Sequence, residues 1–414
     1  MHSENKYDVI VAGSGPSGIA AALTSARGGA KTLLIEWQGC VGGISTSGLM
    51  SHFTGTVDSR LYNEMLAKAA EKNYFNNEKT PVIDTEMLKI TYYEMLSEAG
   101  ADIVLYSFIS DVLMNGSKVE GVVTTGKSGT SVYTAKTVID CTGDGDVAYL
   151  AGTEYIKGRE EDGSMQPATL MFKVAGVDTE RAVFPACFED TVETAKGELQ
   201  ALAKKLLPHP AGHVLLYRST LPGIVTCNMT NITGIDGTDE RDMTKAETEC
   251  RKQIIPIINF LREYVPGYEK CYCISSASLM GIRETRHFKG EYTLTKDDIL
   301  SARFFDDWVV KGAHFNFDVH NITGSGLDKT GVQKQFSQTK GYTIPYRCLV
   351  PVKTEGLLLC GRNISGTHMA HSNFRAMPIC FALGEAAGTA AAIAVKSGIS
   401  VRDVDAAKIQ EKLI

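Results

Sequence analysis

The sequence has no excess of positive charge, no long run of lysine or arginine, and no apolar run of membrane-spanning length. Its 42 Lys and Arg residues are outnumbered by 48 Asp and Glu residues, which gives a formal net charge of −6. Nucleic-acid-binding proteins usually concentrate positive charge, so this composition gives no support to a nucleic-acid partner. The longest late apolar run, AAGTAAAIAV, is about half the ~20 residues of a spanning helix. We therefore expect no membrane span.

The sequence also lacks a recognisable leader and a regular cysteine pattern. The first residues, MHSENKYDVIVAGSG, contain no basic segment followed by an apolar one, so we expect no signal peptide. Ten irregularly spaced cysteines in 414 residues are typical of reduced thiols in a cytoplasmic protein. The length, with 43% hydrophobic and 22% charged residues, indicates a globular protein of two domains or one large domain with an insertion.

The N-terminal region carries a glycine motif typical of dinucleotide binding. A strand-length apolar run over 6–12 leads into GSGPSG, a small-residue helix and a second strand, KTLLIE. Gly13 permits the tight turn, Gly15 lets the backbone approach a pyrophosphate, and Gly18 allows close packing of helix and strand. This context predicts a Rossmann-type nucleotide-binding unit.

Three further residues of this unit are candidate cofactor contacts. Pro16 and Ser17 open the helix, whose N-terminal N–H groups and partial positive charge favour a bound pyrophosphate. Glu36 ends the second strand, 18 residues after Gly18, where an acidic side chain can bind ribose hydroxyls.

Two later features favour FAD over NAD. GCVGGISTSG (39–48) is a second glycine-rich and hydroxyl-rich loop, with Gly42, Gly43 and Ser45 as candidate contacts. Residues 102–140 alternate and turn at two glycines, which predicts a β-meander; we also assign Val112 in this meander to the cofactor site.

The last strand of that region runs into a Thr-Gly-Asp turn, which provides Thr142, Gly143 and Asp144 as further candidates. A Rossmann unit followed by a β-meander and such a turn is a flavoprotein layout. The sequence therefore predicts an α/β fold with FAD as cofactor.

The middle of the chain, 155–340, has a different pattern and reads as an inserted α+β substrate-binding or cap domain. Strand-like segments at 168–177, 213–219 and 223–232 alternate there with helical stretches at about 190–206 and 239–263. No second glycine motif follows a strand in it. The strand and small-residue helix pattern resumes after 341, so we expect a discontinuous FAD-binding domain of residues 1–154 and 341–414.

Four stretches of this sequence resemble a family of bacterial FAD-dependent oxidoreductases. The family lies within the glutathione-reductase-like flavoprotein superfamily and is distantly related to the fumarate reductase flavoproteins. The stretches are VIVAGSGPSGIAAALTSARGGAKTLLIE, GCVGGISTSG, GIRETRHFKGEYTLTKDDI and GLLLCGRNISGTHMAHSNFRAMPICFALGEAAGTAAA. The resemblance implies the fold, FAD and flavin redox chemistry, and specifies no substrate.

The resemblance also points to the C-terminal strand and the helix after it. In the wider superfamily a Gly-Asp pair near this strand holds the ribityl chain; Gly361-Arg362 stands in its place here, and we assign both to the cofactor site. The helix of MPICFALGEAAGTAAAIAV would begin near its proline, and the resemblance implies that its N-terminus faces flavin N1 and the C2 carbonyl. Asn373, Ala376 and Met377 are therefore further candidates, with Ser372 or Asn373 as the helix cap.

His368 and His371 are candidate catalytic residues. We expect a loop here, and the sequence offers no cysteine or carboxylate ligand at short spacing, so we expect no metal. Each histidine either acts as a general acid or base on the flavin face or only satisfies loop carbonyls. Arg375 either pairs with a substrate carboxylate or braces the loop, and His52 and His320 are weaker candidates.

GIRETRHF contributes a second candidate arginine, Arg283. In a strand, Arg283, Thr285 and His287 would share one face, with Glu284 and Arg286 on the other. Arg283 then either recognises a carboxylate or hydroxyls of the substrate or forms an Arg–Glu brace between domains.

Disulfide exchange is disfavoured. Disulfide reductases of this superfamily carry a Cys-x4-Cys pair after the glycine loop, and GGISTSGLMSHF contains no cysteine. Cys271 and Cys273 are separated by one residue, which would strain a disulfide.

We therefore expect an FAD enzyme that transfers a hydride between flavin N5 and a small polar organic substrate bound between the domains. Reduction or desaturation of an organic acid and oxidation of a hydroxyl or amine compound both stay open. The other half-reaction needs a separate electron donor or acceptor. The alternatives are an FAD-dependent monooxygenase and a non-enzymatic flavin module for electron transfer or redox sensing.

Overall fold

The computed structural model describes residues 5–74, 82–331 and 340–413. Its strands, in chain order, are β1 (Val9–Ala12), β2 (Thr32–Ile35), β3 (Thr56–Asp58), β4 (Asp102–Val104), β5 (Phe108–Asn115), β6 (Lys118–Gly126), β7 (Gly129–Thr134), β8 (Thr137–Asp140), β9 (Tyr155–Lys157), β10 (Phe172–Ala175), β11 (Glu193–Thr194), β12 (Gly197–Glu198), β13 (Leu216–Arg218), β14 (Val225–Cys227), β15 (Tyr272–Ser276), β16 (Arg286–Phe288), β17 (Trp308–His314), β18 (Tyr342–Pro345) and β19 (Leu357–Leu359). Its α-helices are α1 (Pro16–Arg27), α2 (Arg60–Ala70), α3 (Thr85–Ala99), α4 (Asp146–Leu150), α5 (Leu199–Leu206), α6 (Glu240–Tyr264), α7 (Lys296–Leu300), α8 (His368–Phe374), α9 (Met377–Ser397) and α10 (Ala406–Leu413). Short 3₁₀ helices cover Gly43–Ser45, Tyr346–Cys348 and Val401–Asp403.

A five-stranded parallel sheet of order β19-β8-β1-β2-β4 forms the centre of the nucleotide-binding half. Four of its strands are buried throughout, as expected for parallel strands that are covered on both faces. Strand β19, late in the chain, pairs with β8, so both ends of the chain build one sheet. The expected α/β fold is confirmed.

Helices α1 and α9 pack closely because small residues line their contact. A side-chain carbon placed on Gly384 would lie 2.0 Å from Ser17 O, and one placed on Gly388 would lie 2.1 Å from Thr24 Oγ1. Among the described residues, α9 is the one helix long and apolar enough to cross a membrane, and 89% of its apolar window is buried inside the protein. The apolar segment is longer than the run AAGTAAAIAV suggested, and it forms a helix of the protein core.

The predicted β-meander is confirmed. Strands β5, β6 and β7 form an antiparallel sheet in chain order. The turns fall at Gly116 and Gly129, whose φ angles of 61° and 98° are readily adopted by glycine.

The middle of the chain forms an antiparallel sheet of order β13-β14-β10-β15, which packs with α5 and α6 around a hydrophobic core of its own. Helix α6 matches the predicted stretch 239–263 within a residue at each end. The predicted helix at 190–206 is wrong in its first half, because β11 and β12 form a hairpin there. Helix α5 begins only at Leu199, where the Glu198 side chain caps it.

The boundaries of this insertion are narrower than 155–340. Residues 288–317 contribute to the main hydrophobic core, and β17 pairs with β3 and β18. The insertion leaves and returns through neighbouring peptides: Thr169 N–H donates to Gly281 O at 3.2 Å, and Gly281 N–H donates to Thr169 O at 2.8 Å. We therefore propose an inserted domain of about residues 168–282.

Candidate functional site

The glycine turn connects the end of β1 to the start of α1. Gly13 has a φ of 85°, and a side-chain carbon placed on it would lie 2.7 Å from Cys141 O. On Gly18 such a carbon would lie 1.8 Å from Gly13 O, so these two glycines are required by the fold itself. On Gly15, at the helix N-terminus, it would meet no atom within 4 Å. This open space at a helix N-terminus fits the pyrophosphate of FAD.

Glu36 lies at the end of β2 and is buried beside this turn. Ser14 donates from its N–H and its Oγ to Glu36 Oε2, at 2.9 and 2.6 Å, and Gln38 N–H donates to Oε1 at 2.9 Å. These bonds fix the carboxylate in place and leave acceptor capacity for ribose hydroxyls.

The second glycine loop lies directly against the first. Gly42 has a φ of 106°, and its N–H donates to Ser14 O at 2.8 Å. A side-chain carbon placed on Gly43 would lie 3.0 Å from Gly15 Cα, and Ser45 Oγ donates to Gly42 O at 2.7 Å. These contacts place the loop beside the glycine turn; its contact with the pyrophosphate stays a prediction.

The turn after β19 also lies beside the start of α1. A side-chain carbon on Gly361 would lie 2.7 Å from Ser17 Oγ, which puts this turn at the start of α1. The next residue, Arg362, donates from Nη2 to Asp144 Oδ1 at 2.6 Å, and Thr285 Oγ1 donates to the same oxygen at 2.7 Å. Arg362 and Asp144, both predicted to contact the cofactor, thus bind each other.

The remaining residues of the Thr-Gly-Asp turn brace the loop after β8. Thr142 Oγ1 donates to Asp140 Oδ1 at 2.7 Å and accepts from Asp146 N–H at 2.8 Å. Gly143 has a φ of 83°. Val112 lies in β5 and is nearly buried; its cofactor contact stays a prediction.

The segment between β19 and α9 is a short helix, so the expected loop around His368 and His371 is wrong. Thr367 caps α8 by accepting from Ala370 N–H. Because the segment is helical, the three-residue spacing places both histidines on one side of it. Both are buried.

The expected capping of α9 is also wrong. Its N-cap is Ala376, and neither Ser372 nor Asn373 fills that position. The Asn373 side chain accepts from Tyr342 Oη at 2.7 Å and donates to Phe315 O, so it joins α8 to neighbouring segments.

Glu284 is the centre of a buried group that we call the histidine–glutamate network: Glu284, His287, His368 and His371. Its Oε1 accepts from His287 Nε2 at 2.8 Å and from His368 Nδ1 at 2.6 Å. The ring of His371 packs edge-on against His287, with centroids 4.6 Å apart. Gln166 N–H donates to the other oxygen of Glu284 at 3.1 Å.

The prediction that GIRETRHF is a strand with alternating faces is wrong. Strand β16 begins only at Arg286, so the preceding residues do not alternate, and Glu284 meets His287 although it should lie on the opposite face. The sequence offers His368 no carboxylate at short spacing, and the carboxylate that it meets, that of Glu284, comes from 84 positions earlier. Fold contacts, and not sequence spacing, bring them together.

Three donor groups of the network lie close enough to be considered for a metal. Ligand atoms of Glu284, His287 and His371 all lie within 4.8 Å of one another. A carboxylate only accepts hydrogen bonds, so His287 Nε2 and His368 Nδ1 carry protons where they bond Glu284. Of the candidate metal group, His287 Nε2 therefore has no lone pair for a metal in this arrangement.

The network combines opposite charge states. Burial raises the pKa of Glu284, but the hydrogen bonds from His287 and His368 outweigh it and hold the pKa well below its usual range. Burial lowers the pKa of His368, but the bond to Glu284 outweighs it and raises that pKa. Burial and the neighbouring His287 lower the pKa of His371 well below its usual range. The network therefore favours an ionised Glu284, a protonated His368 and a neutral His371 side by side.

A second group, the arginine cluster, consists of the buried Arg283 and His320 and the half-buried Asp318 and Arg375. Arg375 Nη2 donates to Asp318 Oδ2 at 3.0 Å and to Asp318 O at 2.7 Å. His320 Nε2 lies 3.3 Å from the same Oδ2. The pKa of Asp318 lies far below its usual range because these positive and polar neighbours outweigh burial.

Arg283 belongs to this cluster but has different partners. Its Nη1 donates to Pro167 O at 2.6 Å and to Thr169 Oγ1 at 2.9 Å. Burial and then Arg375 lower the pKa of Arg283 to about 10. The proposed Arg–Glu brace is not formed by Arg283, since Glu284 bonds the histidines instead.

Sequence reasoning missed Glu284, Asp318 and Gln166 as site residues. Glu284 directly follows the candidate Arg283, and Asp318 lies two positions before the weaker candidate His320 in FDVHN. These positions beside candidate residues could have indicated both carboxylates. Gln166 belongs to no motif. His52, a weaker candidate, stacks on Tyr217 of the insertion, with ring centroids 4.9 Å apart.

Curated relatives match part of the chain. Thiamine thiazole synthase from Metallosphaera sedula is 31% identical over 155 residues, which covers 35% of this chain and 57% of the relative. Digeranylgeranylglycerophospholipid reductase 1 from Methanococcoides burtonii is 26% identical over 201 residues, or 43% of this chain and 47% of the relative. The chain thus spans about half the length of these relatives.

A solved structure and a family model cover nearly the whole chain. The geranylgeranyl bacteriochlorophyll reductase-like protein from Thermoplasma acidophilum superposes with a TM-score of 0.53 at 17% identity, over 98% of this chain and 82% of that chain. At this identity it supports the fold alone. The model of the family described as FAD dependent oxidoreductase matches residues 8–413. The protein therefore belongs to the FAD-dependent oxidoreductase family, is an enzyme of that class, and uses FAD as its cofactor.

Proposed function

We propose that this oxidoreductase transfers a hydride between the flavin and a small polar organic substrate, which binds where the base of the insertion meets α8. One observation carries the proposal: the histidine–glutamate network and the arginine cluster bring charged side chains from three distant segments into the protein interior. Burying such groups costs free energy even when they are paired. Strongly shifted ionisable groups of this kind concentrate at active sites.

The residues present fit FAD along one continuous path. The glycine turn, Glu36 and the loop at Gly42–Ser45 would hold the adenosine and pyrophosphate, and the start of α9, at Ala376 and Met377, would face the ring. FAD supplies hydride acceptance or donation when it is bound. The N-terminus of α9 would favour negative charge on its neighbour.

The histidine–glutamate network would handle the proton that accompanies a hydride. Protonated His368, held by Glu284, can donate a proton, and neutral His371 can accept one. His371 Nδ1 is buried and has no hydrogen-bond partner within the described ranges. Arg283 and Arg375 would orient the substrate.

A separate electron donor or acceptor would complete the cycle, because the sequence carries one dinucleotide motif. NAD(P)H, a quinone, a protein carrier or oxygen could serve. A cytoplasmic location is part of the same proposal, supported by ten free cysteines.

The first test is the absorption spectrum of the purified protein, followed by anaerobic bleaching of the flavin with organic acids, hydroxyl compounds and amines. We expect flavin bands and bleaching by one of these classes. Transfer of a labelled oxygen atom from O₂ to a product would indicate a monooxygenase instead. Bleaching by protein electron carriers alone would favour a non-enzymatic flavin module.

A further inference from the structure

We infer that the substrate is an organic anion whose carboxylate binds at the arginine cluster. This inference rests on the proposed function and narrows its substrate class. It depends on a charge imbalance and on buried hydrogen-bonding atoms that have no partner.

The charge imbalance is a matter of geometry. The cluster holds two guanidinium groups, those of Arg283 and Arg375, and one carboxylate, that of Asp318, which binds Arg375 directly. The partners of Arg283 are a backbone carbonyl and a hydroxyl, both neutral. Across the described part of the chain, no carboxylate accepts a hydrogen bond from Arg283.

The neighbouring histidines do not correct this imbalance. Burial, followed by Arg283, lowers the pKa of His320 to about 4. Burial, followed by His320 and Arg283, lowers the pKa of nearby His213 to about 3. Both rings are neutral at pH 7, so the residues of the cluster itself leave one positive charge uncompensated, which is costly without an anion.

Unpartnered donors lie in the same cluster. Gln166 Oε1 accepts from His320 N–H at 3.1 Å and from Arg375 Nη2 at 3.5 Å, which places this amide inside the cluster. Gln166 Nε2 and Arg375 Nε are buried, and neither has an acceptor among the residues that the structure describes. Two such donors beside an uncompensated guanidinium are what a carboxylate would satisfy.

The anion must be part of an organic molecule. The proposed hydride transfer takes place at a carbon centre of the substrate, and an inorganic anion has none. An aromatic wall is available for the organic part, because Phe188 packs edge-on against both His213 and His320, with centroids 5.0 Å apart in each pair.

Binding can be tested without turnover by titrating the oxidised holoenzyme with benzoate and propionate, and with benzamide and propionamide as uncharged controls. Calorimetry and flavin difference spectra would report the affinity. We expect each carboxylate to bind at least tenfold more tightly than its amide. Equal affinity for the two members of each pair would overturn the inference.

Two variants with opposite expected effects separate anion binding from structural damage. Arg283→Gln should weaken benzoate binding at least tenfold, and Arg283→Lys should restore part of it. Asp318→Asn removes the competing carboxylate and should tighten benzoate binding severalfold, which damage to the fold would not do. Arg347→Gln, which removes a surface guanidinium paired with Asp307, should change nothing.

Weaker benzoate binding by Asp318→Asn would show that the pair is only structural and would overturn the inference. Flavin bleaching by a neutral substrate, with no preference for carboxylates, would refute it and leave the proposed function standing. Carboxylate binding without bleaching by any compound would refute the proposed function and leave the anion site.

Discussion

Glu284 is the residue on which the buried histidines depend. Its two hydrogen bonds to imidazoles go through one oxygen, and the other oxygen is held by a backbone N–H from the base of the insertion. A buried carboxylate with such donors stays ionised and keeps a neighbouring imidazole protonated. It is a positioning residue, because it acts through the histidines.

We expect Glu284→Gln to slow flavin reduction by about a hundredfold, the lower end of what general acid–base catalysis contributes. The uncharged amide no longer stabilises protonated His368, so the pKa of His368 should fall. In stopped-flow measurements, the pH above which the rate declines should therefore shift downward. An unchanged pH profile with a lower rate would contradict this role.

We expect His371→Ala to slow flavin reduction while FAD stays bound, and Arg375→Ala to do the same. Among the described residues, neither side chain is hydrogen-bonded to the glycine turn, and both belong to the groups that we assign to substrate chemistry. Stopped-flow reduction rates would measure the slowing, and the ratio of flavin to protein absorbance would show whether FAD stays bound. Wild-type rates in both variants would show that the assignment is wrong.

The buried histidines also predict a loss of stability in acid. The pKa values of His213 and His320 are lowered to about 3 and about 4 in the folded protein, against about 6.5 when unfolded. The unfolded chain therefore binds more protons below pH 6.5, and the free energy of unfolding should fall as the pH drops from 6.5 toward 4.

Urea unfolding at several pH values would measure this slope. His213→Asn should flatten the slope between pH 6.5 and 4, and the matched control His209→Asn, at an exposed position, should leave it unchanged. The contribution of His368 has the opposite sign, since its pKa is raised in the folded state. The stabilisation that His368 contributes is fully present below pH 6.5, and it is lost as the pH rises through the pKa of His368 in the folded protein. An acid slope identical in all three proteins would contradict the prediction.

At the scale of elements, two glycines at the start of α1 have different roles. Gly18 is required by packing, because a side-chain carbon there would overlap Gly13 O, whereas Gly15 faces open space in an extended conformation that alanine can adopt. Gly18 thus serves the fold, and we propose that Gly15 serves the cofactor.

Gly15→Ala should therefore fold with wild-type stability and bind FAD at least tenfold more weakly, because its methyl group would occupy the space left for the pyrophosphate. Gly18→Ala should lower the free energy of unfolding by about 1–3 kcal/mol, as overpacking does. Thermal unfolding of the apoproteins and FAD titration would measure both. Full FAD affinity in Gly15→Ala would contradict the placement of the pyrophosphate.

Elements defined by local pattern could be predicted from the sequence. The unit β1–α1–β2, the meander and α6 each depend on neighbouring residues, on apolar periodicity and on glycine turns, and each is found where it was expected. Helix α8 could not be recognised, because its seven residues include few strong helix formers. Its helical state is favoured by the Thr367 cap and by burial against distant segments.

The same limit applies to the site. Its candidate histidines and arginines could be named from motifs, but their partners could not. Glu284 reaches His368, and Asp318 reaches Arg375, across 84 and 57 positions. Such pairs are set by the fold, so a single sequence does not reveal them.

At the scale of the whole molecule, the chain builds one cofactor-binding half from both of its ends and adds a second hydrophobic core between them. Leu49 packs with residues of the insertion, so the two parts share an apolar contact. The peptides that begin and end the insertion are hydrogen-bonded to each other.

Replacing residues 170–280 by a short Gly/Ser linker should therefore leave a folded, FAD-binding protein that no longer reacts with substrate. Leu49 would become exposed, and its φ of 61° suits asparagine, so Leu49→Asn belongs in the same variant. FAD titration and circular dichroism would check the fold, and anaerobic bleaching the loss of reactivity. A protein that fails to bind FAD would show that the insertion is needed for the cofactor half.

The hydrogen-bonded pair of Thr169 and Gly281 has an evolutionary consequence. A segment that enters and leaves through adjacent peptides can be exchanged, lengthened or rebuilt without changing the register of the parallel sheet. Arg283 and Glu284 follow the exit immediately and stay with the cofactor half. New substrate specificities could thus arise by exchange of the inserted domain, while the cofactor-binding half is kept unchanged.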